Sequence, residues 1–278
     1  MESKVLEDYD AVEPVIKKLI DSKLRFSILT ALSEKPLRLA ELRRVVEANA
    51  PNTSAKAKDL EELGLVERIS GEYRLTPFGH LLGRVVVDST HKIAKIMTFQ
   101  SYWKEHDMSH IPKDLQARLA ALEGIQIWDY GHEVAKSEEV FHKMLRSISG
   151  PKYYGLAPIF AKEWIPITVE KIMAGVDVKM ILSKEVINST TGALAEKEQV
   201  KLLDECPNLE VSLIEPEDMT SFVASSNFFS LRCPLKSTGH ADMFKTVYGD
   251  DPDSIALGFD FFDHYVKQAE KISLTEFV

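Results

Sequence analysis

The stretch that decides the fold is Asp59-Leu60-Glu61-Glu62-Leu63-Gly64-Leu65-Val66, closed a few residues later by Tyr73-Arg74-Leu75-Thr76-Pro77-Phe78-Gly79. Its first half ends a helix: Thr53, Ala57, Leu60 and Gly64 keep helical spacing, Asn52 or Pro51 provides a start, and Gly64 provides a left-handed stop. Its second half predicts a ribbon, with Leu65, Val66 and Ile69 on one strand, a tight turn at Ser70-Gly71-Glu72, and Tyr73 and Leu75 on the other. Working outward, Leu39, Leu42 and Val46 at i, i+3 and i+7 give a short helix just before the first. Phe26, Leu29 and Leu32 give the buried face of a core helix over residues 24–32, and residues 5–20 carry weaker helical spacing.

Helix, turn, helix and ribbon in this order resemble winged-helix transcription regulators. The resemblance implies that the second helix enters the DNA major groove while the wing and the preceding helix touch phosphate. Asn52, Ser54, Lys56 and Lys58 lie off the apolar stripe of that helix, Arg38, Arg43 and Arg44 flank it on the first, and Arg68 and Arg74 sit on the wing. These nine are the candidate DNA-binding residues, and double-stranded DNA is the expected partner. Residues 21–80 hold ten Lys and Arg against nine Asp and Glu, and Ala55 and Asp59 take outward positions. So near-neutral a domain binds DNA only if its cations gather on one face. The competing use of a winged helix is dimerisation alone, as in many small-molecule methyltransferases.

The chain of 278 residues, 45% hydrophobic and 28% charged, has room for two ordinary cores. It contains no run of eighteen apolar residues, and Met1-Glu2-Ser3-Lys4 opens an acidic, alternating stretch, so neither export nor a membrane anchor is expected. Cys206 and Cys233 stand far apart without zinc spacing, which fits a reducing cytoplasm. The net charge of −9 lies mostly beyond the ribbon: residues 1–80 carry 13 bases and 14 acids, the remainder 21 and 29. One end is suited to nucleic acid and the other to something else.

Thr76-Pro77 opens a long helix reaching about Trp103. Leu82, Val86, Ser89, Ile93, Ile96, Gln100 and Trp103 alternate spacings of four and three, the seam of a homodimer or of a helix packed on its own domain. His106 and His110 are four apart, but no third ligand stands at a matching spacing, so packing at a domain junction is favoured over a metal. Leu115, Leu119 and Leu122, then Val140, Met144, Leu145 and Ile148, give two more helices. From Pro151 the texture turns to strand and helix in alternation: strands at 152–156, 177–182, 209–214, 228–231 and 243–248, helices at 164–173, 195–203 and 254–271. The expected organisation is a winged-helix domain over 1–80, a helical linker and dimerisation region over 81–150, and an α/β sensor domain over 151–278. The fold class is mixed α+β and α/β.

Tyr102-Trp103 with His106 and Ile111-Pro112, the unit from Glu170 to Leu182, and a tail containing Gly239, Asp242, Asp251, Ala256, Phe262 and Tyr265 together resemble the archaeal methanogenesis regulators. That family pairs a winged helix with a sensor, or middle, domain. The departure lies near Gly258, where Leu257 and Phe259 flank the position at which the family usually has an aromatic residue. The β/α unit is also similar to one half of the phospholipase D fold. A hydrolase of that kind uses His-x-Lys, and this chain has His240-Ala241-Asp242, so no catalysis is expected. A methyltransferase would need a glycine-rich turn after its first strand, and Gly155 and Gly175 do not provide one. The expected function is a DNA-binding transcription regulator without cofactor whose second domain senses a small molecule or a partner. The alternatives are a methyltransferase-like dimer and an interaction module that does not bind DNA. An effector, taken as small and polar or anionic, is expected at the C-terminal strand ends, with Tyr153, Tyr154, Ser183, Lys184, His240 and Asp242 as its candidate residues.

Overall fold

The computed structural model describes residues 2–131, 133–159, 161–194, 197–215 and 220–277. The chain forms two compact units, Met1–His91 and Lys92–Val278. In the first, helices α1 (Glu2–Ile20) and α2 (Lys23–Glu34) precede strand β1 (Leu37–Arg38) and the helix pair α3 (Leu39–Val45) and α4 (Ala50–Glu62). Strands β2 (Val66–Ile69) and β3 (Glu72–Leu75) follow, and helix α5 (Pro77–Thr98) leaves the unit. The three strands make an antiparallel sheet in the order β1-β3-β2, the architecture of a winged helix.

Local chemistry accounts for the boundaries. Helix α4 begins earlier than Asn52 or Pro51: Asn49 is its N-cap, accepting the Asn52 amide at 2.9 Å, and Pro51 sits in the first turn where it costs no hydrogen bond. Gly64 ends the helix at φ 70°. Ser70 and Gly71 both take positive φ, 53° and 86°, the geometry whose twist suits a two-residue hairpin. Thr53, Ala57 and Leu60 are fully buried and join Ile28, Leu29, Leu42, Leu65 and Tyr73 in one core.

The second unit begins within α5 and continues through α6 (Gln100–Glu105), α7 (Lys113–Ala121), β4 (Gln126–Asp129), α8 (Val134–Arg146), β5 (Lys152–Ala157), α9 (Trp164–Met173) and β6 (Asp177–Leu182). It is completed by α10 (Lys184–Ala193), α11 (Lys197–Asp204), β7 (Leu209–Leu213), β8 (Ser221–Ser225), β9 (Phe229–Arg232), β10 (Lys245–Gly249), α12 (Pro252–Val266) and β11 (Glu270–Ile272). Eight strands form one mixed sheet, ordered β11-β7-β6-β5-β8-β9-β10-β4, in which β5, β6 and β7 run parallel and every other pairing is antiparallel. Alternation sends Tyr154, Leu156, Phe222, Phe229 and Leu231 to one side, into a core with Phe261, Phe262 and Tyr265 of α12. Tyr153, Val178 and Val223 point to the other, toward Met144, Leu145 and Ile172 of α8 and α9.

Residues 92–150 are not a separate linker. Tyr102, Ile111, Leu115, Leu119 and Ile125 lie in the same core as the sheet, and β4 pairs with β10. The helix expected over 254–271 stops at Val266, and Glu270–Ile272 is an edge strand. The helix expected over 195–203 is seen as α11 from Lys197, with residues 195 and 196 outside the described ones.

Candidate functional site

Helix α4 has the outward geometry of a groove reader, but its polar residues are split. At about 100° per residue, Ser54 and Lys58 lie to one side of the exposed face, and Asn52 and Lys56 lie to the other. Pro51, Ala55 and Glu62 take the centre of that face. Lys56 is drawn inward: its Nζ sits 3.1 Å from Asp59, which also receives Arg25 Nη1 at 2.7 Å. The Asp59 carboxyl is held below its ordinary value chiefly by the bond from Lys56, and Arg25 acts in the same direction. Lys58 stands out in solvent at 4.0 Å from Glu62.

On α3, Arg43 and Arg44 are exposed in the last turn while Leu42 fills the core. Arg38 is exposed at the start of that helix, 3.4 Å from Glu72. The wing arginines do not share a face. The register pairs Arg68 with Tyr73, whose ring it covers at 5.3 Å, while Arg74 opposes Glu67 on the other face at 2.9 Å. Neighbouring carboxylates thus partly balance Arg38, Lys56, Lys58 and Arg74, whereas Arg43 and Arg44 have no ion pair with a described residue.

In the second unit the six residues expected around an effector do not gather. Tyr153 and Tyr154 are consecutive on β5 and face opposite sides of the sheet. Tyr154 packs on Phe259 and Phe262, and its hydroxyl donates to Asp177. Ser183 is buried as the N-cap of α10, accepting the Val186 amide at 3.3 Å, and Lys184 beside it is exposed. His240 is exposed on a turn closed by its carbonyl and the Leu235 amide at 2.9 Å. Asp242 is buried and accepts the Phe244 amide at 2.8 Å, while its other carboxylate oxygen lies 3.0 Å from His106 Nε2.

His106 is thereby explained without a metal. Nδ1–H donates to the Tyr102 carbonyl at 2.8 Å, Tyr102 stacks on the ring at 3.7 Å, and Nε2 faces Asp242. Both ring nitrogens meet oxygen, which holds the ring between the Tyr102 carbonyl and the Asp242 carboxylate. The residues quoted as family-like at Tyr102 to Pro112 and at Gly239 to Asp242 are two halves of this contact.

Of the expected ligand residues, Tyr153 borders a cavity. Space of about 110 Å³ lies between the sheet and α9, α10 and α11, walled by Ile165, Val169, Leu182, Val186 and Leu203. A second space of about 40 Å³ adjoins it beneath α8, and the two share Tyr153, Ala157, Ile159, Trp164 and Met180. Burial and a bond to Thr168 act in opposite directions on the Tyr153 hydroxyl, and burial prevails, raising its pKa to about 12. The smaller space contains Arg232, Ser221 and Ser230, none of which was among the expected ligand residues. The signal was present in Phe228-Phe229-Ser230-Leu231-Arg232-Cys233, where one arginine interrupts an otherwise uncharged strand.

Fold and site together define a winged-helix protein with a C-terminal α/β domain built on a mixed sheet. Residues 15–98 match the family model described as HVO_A0261 N-terminal domain, and residues 137–268 match the one described as methanogenesis regulatory protein FilR1, middle domain. In its second unit the chain is thus similar to the archaeal methanogenesis regulators. A curated relative, methanogenesis regulatory protein FilR1 of Methanothrix harundinacea (strain 6Ac), is 21% identical over 273 residues, 96% of this chain. This chain spans 60% of that relative's length. Among solved structures it is similar to TrmBL2, an archaeal chromatin protein, with a TM-score of 0.42 and 17% identity over 94% of this chain and 99% of that one. It is also similar to the phospholipase D family member Nuc from Salmonella typhimurium, with a TM-score of 0.36 and 8% identity over 53% of this chain and 97% of that one.

Proposed function

We propose that this chain is a non-enzymatic, DNA-binding transcription regulator of the cytoplasm, with a second unit that senses a small molecule or a partner. The observation that carries the reading is the winged helix with α4 presented outward and exposed cations on the elements around it. Arg43, Arg44, Arg38, Lys58 and Arg74 take phosphate contacts, and Asn52 and Ser54 reach base edges. Ala55, at the centre of the outward face, is small enough to let the helix approach closely and to touch a thymine methyl group. Lys56 and Arg68 act mainly within the domain, through Asp59 and Tyr73. The similarity to a methanogenesis regulatory protein supports regulation as the outcome.

A homodimer completes the proposal. Val86 faces its own core and Leu82 packs against it, so the start of the seam expected from sequence is occupied within the unit, while Ile93 and Ile96 further along α5 are exposed. Leu81 and Val85, one residue before Leu82 and Val86, are 73% and 61% exposed, and Val5, Tyr9 and Val12 of α1 are also open. A second copy of the chain is the occupant these faces suit, because a palindromic site needs two readers about one DNA turn apart. The test is a titration of labelled upstream DNA at rising salt. A linear fall of log affinity with log salt supports the reading, and the absence of binding at low salt overturns it.

A further inference from the structure

Arg232 is 4% exposed. Its Nε donates to Thr246 Oγ1 at 3.0 Å, its Nη1 lies 3.9 Å from the Met243 sulfur, and its guanidinium covers the Phe141 ring at 4.4 Å. Among the described residues no carboxylate stands within ion-pair distance of it. Asp242, whose charge reaches Arg232, lies beyond ion-pair distance and already accepts from His106 and backbone amides. Arginine stays protonated under burial, so among the described residues its charge is left without an ion-pair partner. An unpaired buried charge is costly, and charge-assisted bonds to an anion are the means of offsetting it.

Arg232 borders the smaller cavity, with Ser221 and Ser230 on the same sheet face. Tyr153 and Trp164 also line the larger cavity, whose walls are mostly apolar side chains. A charged end and an apolar end therefore adjoin across shared wall residues, and the two make one composite space. We propose that this space binds a small organic monoanion with an apolar body, its carboxylate against the Arg232 guanidinium and its body between the sheet and α9, α10 and α11. A monoanion balances the single charge, whereas a dianion such as a phosphate monoester would leave a buried negative charge. An apolar cavity of roughly 150 Å³ holds a benzene ring, so the available volume suits one ring or a short aliphatic chain. The inference rests on the reading of the second unit as a sensor and names the chemistry it senses.

The experiment uses the full chain with phenylacetate, the uncharged alcohol 2-phenylethanol of the same carbon skeleton, and inorganic phosphate, followed by calorimetry and thermal melting. The expected result is saturable phenylacetate binding at least about tenfold tighter than the alcohol, with no response to phosphate, since a charge-assisted pair is worth more than a neutral one. Arg232→Gln should bring acid and alcohol to equal affinity. Ala157→Leu, which narrows the wall shared by both cavities without touching Arg232, should weaken both ligands and keeps the test open should Arg232→Gln fail to fold. Equal affinity of the wild-type chain for acid and alcohol, or no binding of either, overturns the inference. The DNA titration is repeated with phenylacetate present. A shifted curve supports both readings, while phenylacetate bound with the curve unmoved supports the pocket and overturns its role in sensing.

Discussion

Asp242 accepts from His106 and from the amides of Phe244 and Lys245 in a place where burial alone would push its pKa up. Those bonds prevail, and the carboxyl is held below its ordinary value of 3.8. A depressed folded value means that the contribution to stability is fully present above the unfolded value and is lost as pH falls through the folded one. Urea unfolding of the second unit should therefore weaken as pH drops below about 4, and Asp242→Asn should flatten that dependence. At neutral pH the same variant should cost on the order of 3 kcal/mol by breaking a buried pair, read from the unfolding midpoint. An unchanged midpoint would show that the pair contributes nothing to the fold. At the DNA face the contrast lies between two lysines two residues apart. Lys58→Ala should lower the salt slope by about one while weakening binding to all sequences alike. Lys56→Ala should change the slope less and lower the melting temperature of the first unit, because Lys56 is tied to Asp59 and Arg25. Asn52→Ala and Ser54→Ala should alter site preference by about 1 to 3 kcal/mol at one base pair, measured on single-substitution operator variants. Uniform weakening across all sites would mean that α4 does not read bases.

At the scale of an element, the segment Thr76-Pro77-Phe78-Gly79 shows why a short motif was so informative. The Thr76 hydroxyl donates to the Gly64 carbonyl at 2.6 Å and accepts the Gly79 amide at 3.0 Å, so one residue caps α5 and anchors it to the end of α4. A Cβ on Gly79 would stand 2.0 Å from the Leu65 carbonyl oxygen, a backbone atom that cannot rotate away. Gly79→Ala is therefore expected to destabilise the first unit by about 2 kcal/mol or more, seen as a lower melting temperature by circular dichroism. These features were legible because they are local: amphipathic period, helix cap and hairpin turn all act within a few residues. The second unit was legible where strand and helix alternate, from Lys152 to Leu213. It was less so at Lys184–Ala193, where Asn188-Ser189-Thr190-Thr191-Gly192 has the composition of a loop but forms part of a helix started by the Ser183 cap. Strands β4, β8 and β11 carry no clear strand signal of their own and take their identity from partners far along the chain. The site was harder still. No spacing rule connects Arg25 with Asp59, His106 with Asp242, or Arg232 with Phe141.

For the whole molecule, association should depend on helix faces. Leu81→Glu with Val85→Glu puts charge on the exposed side of α5 while Val86 and Gly83 remain on the inner one. Sedimentation should then show a monomer, and binding to a two-half-site operator should fall toward that of a single half-site; a dimer unaffected by both changes would place the interface elsewhere. The sheet of the second unit supplies a complementary reason. One margin, β11, is three residues long and carries Glu270 and Lys271, the latter reaching Glu210 at 2.8 Å, and the other, β4, ends at Asp129 after four residues. Brief, charge-bearing margins make poor templates for strand addition from a neighbouring chain. A cell could thus accumulate this protein, or lose the fit of its helix faces by mutation, with little risk that the eight-stranded sheet would seed fibrous aggregates.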